Sequence, residues 1–209
     1  MQPVRTVGVL LAAGAGRRFD ATQPGRKLDV LIDGFTVAER SFSALAQAVD
    51  AVVGAARAED SAICRLAQTH GAPVVVPIEA SLGMGHSLAA GVQLAMRHHA
   101  SARWFAIALA DMPWLRATTI RALVHHAATA DRITRPLHAG QSGHPVIFPV
   151  RYAQELMQCH GDNGARDVLN GHAGDVVWLD VDDPGVLRDV DTPDDLSSAA
   201  SLHGNHHLS

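Results

Sequence analysis

Cysteine is nearly absent: among 209 residues only Cys64 and Cys159 occur, far apart and in different contexts. Neither a disulfide framework nor a paired zinc motif can be built from them. A membrane-spanning length is missing from the opening MQPVRTVGVLLAAG, whose apolar run is about eight residues and which lacks the charged region and cleavage site of a secretion signal. A reduced, cytoplasmic protein with no membrane partner is therefore expected. Basic excess is missing as well. With a net charge of -4 and a pI near 6.3, no field exists to hold a polyanion by counterion release, which argues against nucleic acid as the main partner.

What is present suits one domain with a full core: 47% of residues are apolar and 18% charged. The domain is expected to span 1–202, with the terminal HGNHHLS (203–209) disordered. Thirteen histidines stand out. The pairs His98–His99, His125–His126 and His206–His207 are sequence neighbours, which do not face one another on a helix. The first two pairs sit near expected helix ends, where a solvated histidine suits the dipole.

Strand-length apolar runs alternate with stretches of helical period. Thr6–Leu11 reads as a buried strand, followed by a long Gly/Arg loop to Lys27. Thr36–Val49 reads as a helix with Val37, Ala38, Phe42, Leu45 and Val49 on one stripe. Strands are then expected at Ala51–Ala56, Pro73–Val76 and Trp104–Ala110, with helices at Asp60–Thr69, Ser87–His98 and Ala117–Thr129. Continuous rather than alternating apolar strands in a βαβα order predict a mostly parallel (mixed) sheet with helices on both faces. Beyond Ala130 the pattern is irregular, broken by Pro136, Gly140, Gly143 and Pro145 before a strand at Val146–Phe148. Helices near Arg151–Gln158 and Ala165–Asn170, a strand at Val176–Val181 and a last helix from Pro193, capped by Thr192, complete the reading.

Three stretches carry chemistry. LLAAGAGRR runs a buried strand into Gly14-Ala15-Gly16, then Arg17 and Arg18. Small residues let backbone N–H groups approach a phosphate chain, and guanidiniums complement its charge. Phe19 stands where a dinucleotide fingerprint needs glycine, and no Gly-Lys-Ser/Thr closes a triphosphate P-loop. WFAIALADMP places Asp111 at the carboxyl edge of the sheet, where open α/β folds bind ligands and where a magnesium ligand would stand. RDVDTPDDL puts Asp189 and Asp191 two apart in an extended stretch, projecting to one side, so either can supply a second carboxylate. Asp194 and Asp195 fall in the first turn of the following helix as dipole complements.

From about Val7 to Leu196 the chain resembles the molybdenum cofactor cytidylyltransferases, relatives of the guanylyltransferase of that pathway and of sugar-phosphate nucleotidyltransferases. Six motifs occur in the family's order: LAAG-x-x-x-R with a following lysine, GMGHSLAAG, ADMP, GHPVIF, GDNGAR and DVDTPDDL. The resemblance implies a Rossmann-like nucleotidyltransferase fold, with CTP and Mg2+ as ligands. Leu11, Ala12, Ala13 and Gly14 would hold base and ribose, with Gly83 and Ser87 near the nucleoside. Arg18 and Lys27 would grip the triphosphate, and Asp111 and Asp191 would bind magnesium; Arg18, Lys27 and Asp111 would serve catalysis. Gly143, His144, Pro145, Asp162 and Arg166 would line the acceptor pocket, although Gly143 and Pro145 also fit plain turn chemistry. The acceptor would be molybdenum-loaded molybdopterin and the recipient of the product a molybdoenzyme; a monomer or weak homo-oligomer is expected. Guanylyl-transferring relatives carry LAGG, and the methyl of Ala13 is expected to favour a pyrimidine. The chain departs from the family at Arg18-Phe19-Asp20 and Gly16. ATQPGR sets Lys27 about four residues late, with Arg17 and Arg26 as alternative cations.

Overall fold

Thr6–Leu11 (β1) is six consecutive buried residues, as a strand covered on both faces requires. It is the spine of a computed structural model that describes residues 5–12, 19, 26–58, 61–78 and 83–200, the side chains of 197–200 excepted. The expectations for Ala13, Gly14, Gly16, Arg17, Arg18 and the tail lie outside the described residues. After β1 come a short hairpin, β2 (Leu31–Ile32) and β3 (Phe35–Thr36), then α1 (Val37–Ala46), β4 (Ala51–Ala55), α2 (Ala62–His70), β5 (Val74–Val75), α3 (Met84–His98) and β6 (Trp104–Leu109). The second half holds α4 (Ala117–Ala130), β7 (Ile133–His138), β8 (Gln141–Ser142), β9 (Val146–Pro149), α5 (Ala153–Leu156), α6 (Arg166–Gly171), β10 (Val176–Asp180) and α7 (Pro193–Ala200).

Among the described residues the main sheet runs β10-β7-β9-β6-β1-β4-β5, with β8 attached to β7. β1 pairs in parallel with both β4 and β6, whereas β9 lies antiparallel between β6 and β7. The strands bury alternate side chains in two cores. Leu10, Ala106 and Ala108 face α1, α2 and α4, packing with Leu45, Ile63, Ile120 and Leu123. Val7, Val9, Leu11, Phe105 and Ile107 face α3, α5 and α6, packing with Leu88, Val92, Phe148 and Leu156. The single α/β domain with helices on both faces of a mixed sheet is the fold expected from the sequence.

Several element boundaries differ from the expectation. The helix expected at Thr36–Val49 begins one residue later, because Thr36 is its cap. The Thr36 hydroxyl accepts the Glu39 N–H at 3.1 Å while the Glu39 carboxylate takes the Thr36 N–H at 2.6 Å. Ahead of it, Asp33 and Gly34 both have positive φ (51° and 85°), the two-residue turn of a hairpin that the sequence reading missed. The region expected to be irregular after Ala130 contains β7 and β8. The helix expected near Arg151–Gln158 is a 3₁₀ turn followed by the short α5.

Candidate active site

The chain leaves β1, builds β4 and β5 on one side, and returns to form β6 on the other side of β1. The carboxyl ends of β1 and β6 therefore border the crevice where the winding direction reverses, the usual ligand site of such sheets. Two backbone bonds continue the sheet there: Ala110 N–H to the Leu11 carbonyl and Ala12 N–H to the Ala55 carbonyl, both 2.9 Å. Asp111 follows directly.

Asp111 is joined by the late acidic stretch. Val190, fully buried, donates its N–H to the Asp111 carbonyl at 2.9 Å. Asp189 and Asp191 flank it on the opposite side of the extended chain, and one ligand oxygen of each lies within 4.8 Å of the others and of Asp111. Both of the alternative carboxylates thus meet Asp111. Burial first, and the nearby Asp111 and Asp191 charges second, raise the Asp189 carboxyl above its usual range.

Lys27 is the cation of this cluster. Its side chain is 5% exposed, and Nζ donates to Asp111 at 2.6 Å and to Asp191 at 3.3 Å. Burial alone would lower its pKa, but the two carboxylates outweigh that and raise it, so the ammonium stays charged. Despite the long loop before it, Lys27 reaches the acids. Asp195, expected to be a dipole complement, also accepts the backbone N–H groups of Thr192 (2.6 Å) and Asp191 (2.9 Å), which fixes the chain carrying Asp191.

The other expected residues gather on the α3–α6 side. Gly83 precedes α3 with φ of 126°; a Cβ there would lie 2.3 Å from the Gly161 carbonyl and 2.6 Å from the Asp162 carboxylate. Only glycine lets these two loops touch. Ser87, one turn into α3, is fully buried and its Oγ has no hydrogen-bond partner. His144, Asp162 and Arg166 line one cavity of about 240 Å³ together with Leu11, Leu88 and Arg135. Gly143 and Pro145 are not among its lining residues. A Cβ on Gly143 would fall 2.0 Å from the Val186 carbonyl, so this glycine serves close chain packing. Sequence reasoning missed Arg135, because no motif in RITRPLH singles it out.

A switch-point crevice bordered by three acids and a buried lysine is the setting of a protein that handles a polyphosphate with a hard cation. The comparisons with known proteins carry this further. Residues 8–176 match the MobA-like NTP transferase domain, and the chain belongs to that family. It is 30% identical over 198 residues to the purine catabolism protein PucB of Bacillus subtilis, covering 90% of this chain and 93% of that one. It is 32% identical over 196 residues to nicotine blue oxidoreductase of Paenarthrobacter nicotinovorans, covering 88% and 91%. The structure of Rv0371c from Mycobacterium tuberculosis superposes with a TM-score of 0.75 at 27% identity, over 95% of this chain and 98% of that one. A manganese complex of Rv0371c superposes at 0.70 with 26% identity, over 93% and 97%.

No helix among the described residues is long and apolar enough to cross a membrane.

Proposed function

We propose that the chain transfers CMP from CTP to a phosphorylated acceptor, molybdenum-loaded molybdopterin, and releases pyrophosphate. The observation that carries this reading is the convergence of Asp111, Asp189 and Asp191 within 4.8 Å at the switch point. The donor set fits magnesium, because the three carboxylates offer hard oxygens alone. Asp111 and Asp191 would hold it, and when bound it neutralises phosphate charge as the transition state forms.

In the reaction the terminal phosphate oxygen of the acceptor attacks the α-phosphorus in line. The new P–O bond forms as the bond to the β-phosphate bridging oxygen breaks, and pyrophosphate leaves with that electron pair. Both reactants are anions, so the protein's task is alignment and charge neutralisation rather than proton transfer. The Leu11–Gly14 backbone, Gly83 and Ser87 hold the nucleoside, and Arg18 and Lys27 grip the triphosphate. Ala13, where guanylyl-transferring relatives carry glycine, favours a pyrimidine. His144, Asp162 and Arg166 receive the acceptor, while Gly143 and Pro145 support that wall. The protein works in the cytoplasm as a monomer or weak homo-oligomer and passes its product to a molybdoenzyme.

A pyrophosphate-release assay with CTP, GTP, ATP and UTP, with and without molybdenum-loaded molybdopterin, tests this. Release that needs both CTP and that acceptor supports it; GTP equal to or above CTP would make the protein a guanylyltransferase. Release with a polyol or methylerythritol phosphate would change the acceptor alone. Nucleotide binding without any release would indicate a cofactor-insertion chaperone. The Paenarthrobacter relative, a nicotine blue oxidoreductase, favours a second reading, an oxidoreductase. The incomplete glycine fingerprint weighs against it, and oxidation of a reduced nicotinamide cofactor by the purified protein would establish it.

A further inference from the structure

Arg40, on α1, joins the two parts of the chain that bring Lys27 and Asp111 together. Its Nε donates to the Pro113 carbonyl at 3.3 Å, two residues beyond Asp111. A terminal nitrogen of the same guanidinium donates to the Ile32 carbonyl at 3.3 Å and to the Asp33 carboxylate at 3.0 Å. Ile32 and Asp33 belong to the β2–β3 hairpin, which begins four residues after Lys27. The Asp33 side chain is 83% exposed, so its ion pair contributes little and the two carbonyls are the ties that matter. The 26–36 stretch, Lys27 included, rides on α1 and α2. Leu28 is buried in the core that holds Val37, Ala38 and Phe42, the Val37 N–H donates to the Val30 carbonyl at 2.9 Å, and Asp29 pairs with Arg65. Asp111 is anchored separately, by Ala110 on the Leu11 carbonyl and by Val190 on its own carbonyl. Arg40 is thus a polar tie between the part that carries the lysine and the part that carries the acids.

We infer that Arg40 is a positioning residue for nucleotidyl transfer: it sets the spacing between the 26–36 stretch and the 111–113 turn, so that Lys27 meets both the acids and an arriving triphosphate. This rests on the nucleotidyltransferase reading and deepens it. Among the described residues the guanidinium hydrogen-bonds to no expected ligand of metal or substrate, so it acts through Lys27. The 2.6 Å bond from Lys27 to Asp111 leaves little slack, because a shift of about 1 Å takes it beyond hydrogen-bonding distance. A guanidinium suits this task. Its planar fork sends N–H groups in fixed, separate directions, here towards carbonyls on two different segments. A lysine would keep the charge but gather its donors at one point, serving one segment and not both.

The test uses the full-length protein with Arg40→Met, Arg40→Lys, Lys27→Met and the double variant Lys27→Met/Arg40→Met. Mn2+ binding without nucleotide is read by electron paramagnetic resonance, and pyrophosphate release from CTP with molybdenum-loaded molybdopterin by its kcat and KM. With Lys27 held less firmly over the acids, Arg40→Met should bind Mn2+ at least about threefold more tightly than wild type. A fold that was merely loosened would bind the ion more weakly. Its kcat should fall at least about tenfold, with a smaller change in the KM for CTP. Arg40→Lys should fall between wild type and Arg40→Met in both readouts, and it carries the test if Arg40→Met does not fold. Adding Arg40→Met to Lys27→Met should change neither Mn2+ affinity nor kcat by more than about twofold, because the path runs through the lysine. Weaker or unchanged Mn2+ binding in the Arg40 variants overturns the inference, as do effects that multiply in the double variant or an Arg40→Lys that behaves as wild type. Absence of pyrophosphate release in the wild type would sink the nucleotidyltransferase reading, and the Mn2+ comparison would still decide this one.

Discussion

At the scale of single residues, Lys27 decides how the acidic cluster behaves before substrate arrives. Its ammonium bonds to the same carboxylates that a divalent cation would use, at 2.6 and 3.3 Å. Lysine and metal therefore compete for Asp111 and Asp191, and triphosphate oxygens offer the lysine another place to go. Lys27→Met is expected to bind Mn2+ at least about tenfold more tightly than wild type without nucleotide, read by electron paramagnetic resonance. Its pyrophosphate release should nevertheless drop by on the order of 10²-fold, as for loss of one preorganised donor. Equal Mn2+ affinity in the two proteins would mean that the lysine does not screen the acids. Asp111→Asn should abolish Mn2+ binding, leaving the free-ion signal undiminished, and cost turnover on the order of 10²–10³. The acids were legible from sequence because Asp111 ends an apolar strand and Asp189 and Asp191 stand two apart in an extended stretch. The lysine's bond to them was not, since a long loop conceals where its end returns.

At the scale of elements, the ribbon from Asp183 to Asp191 sets the position of the two late acids. Asp183 is buried and accepts from Thr119 Oγ1 (2.6 Å), Gly185 N (3.0 Å) and Arg116 N (3.1 Å), so it caps α4 from outside. Arg188 lies 4.3 Å over the Trp114 ring, and a Cβ on Gly185 would fall 2.3 Å from the Trp114 carbonyl. Gly185→Ala must push the ribbon off the 111–116 segment. It is expected to cost about 1–3 kcal/mol of stability and to raise the magnesium half-saturation more than the CTP half-saturation. A variant with the wild-type magnesium dependence would show that something else holds Asp189 and Asp191. The first eight elements of the main sheet and its flanking helices, from β1 to α4 without the β2–β3 hairpin, were readable from periodicity. β7 was not, because Pro136 reads as a breaker. It fits because β9 pairs with β7 at Thr134 only. Beyond that point the Gly143 N–H donates to the Pro136 carbonyl at 3.2 Å and asks nothing of its nitrogen.

At the scale of the whole molecule, the strand order brings together groups that the sequence keeps apart. Arg135 and His144 face one cavity only because antiparallel β9 is inserted between β6 and β7, and no local pattern announces that insertion. The same placement gives stability a pH dependence. Burial first, and the Arg135 charge second, lower the His144 pKa to about 4, while Asp111 works weakly the other way. A folded-state value below the unfolded one of about 6.5 means that unfolded chains bind the proton first. The stabilising contribution is complete above pH 6.5 and is lost as pH falls toward 4. It amounts to about 2 kcal/mol between pH 7 and 4.5. Asp189, whose pKa is raised, acts in the opposite sense and gains stability on protonation, which shallows the slope. Asp175 adds a later loss. Burial would raise its pKa, but hydrogen bonds from Tyr152, Arg151 and Arg132 together lower it, so its contribution disappears only below the ordinary carboxylate range. Urea unfolding at pH 7 and 4.5 should therefore show a larger stability difference for wild type than for His144→Gln, which has no ring to protonate. Parallel losses in the two proteins would place the acid sensitivity elsewhere than the β6–β9–β7 wall.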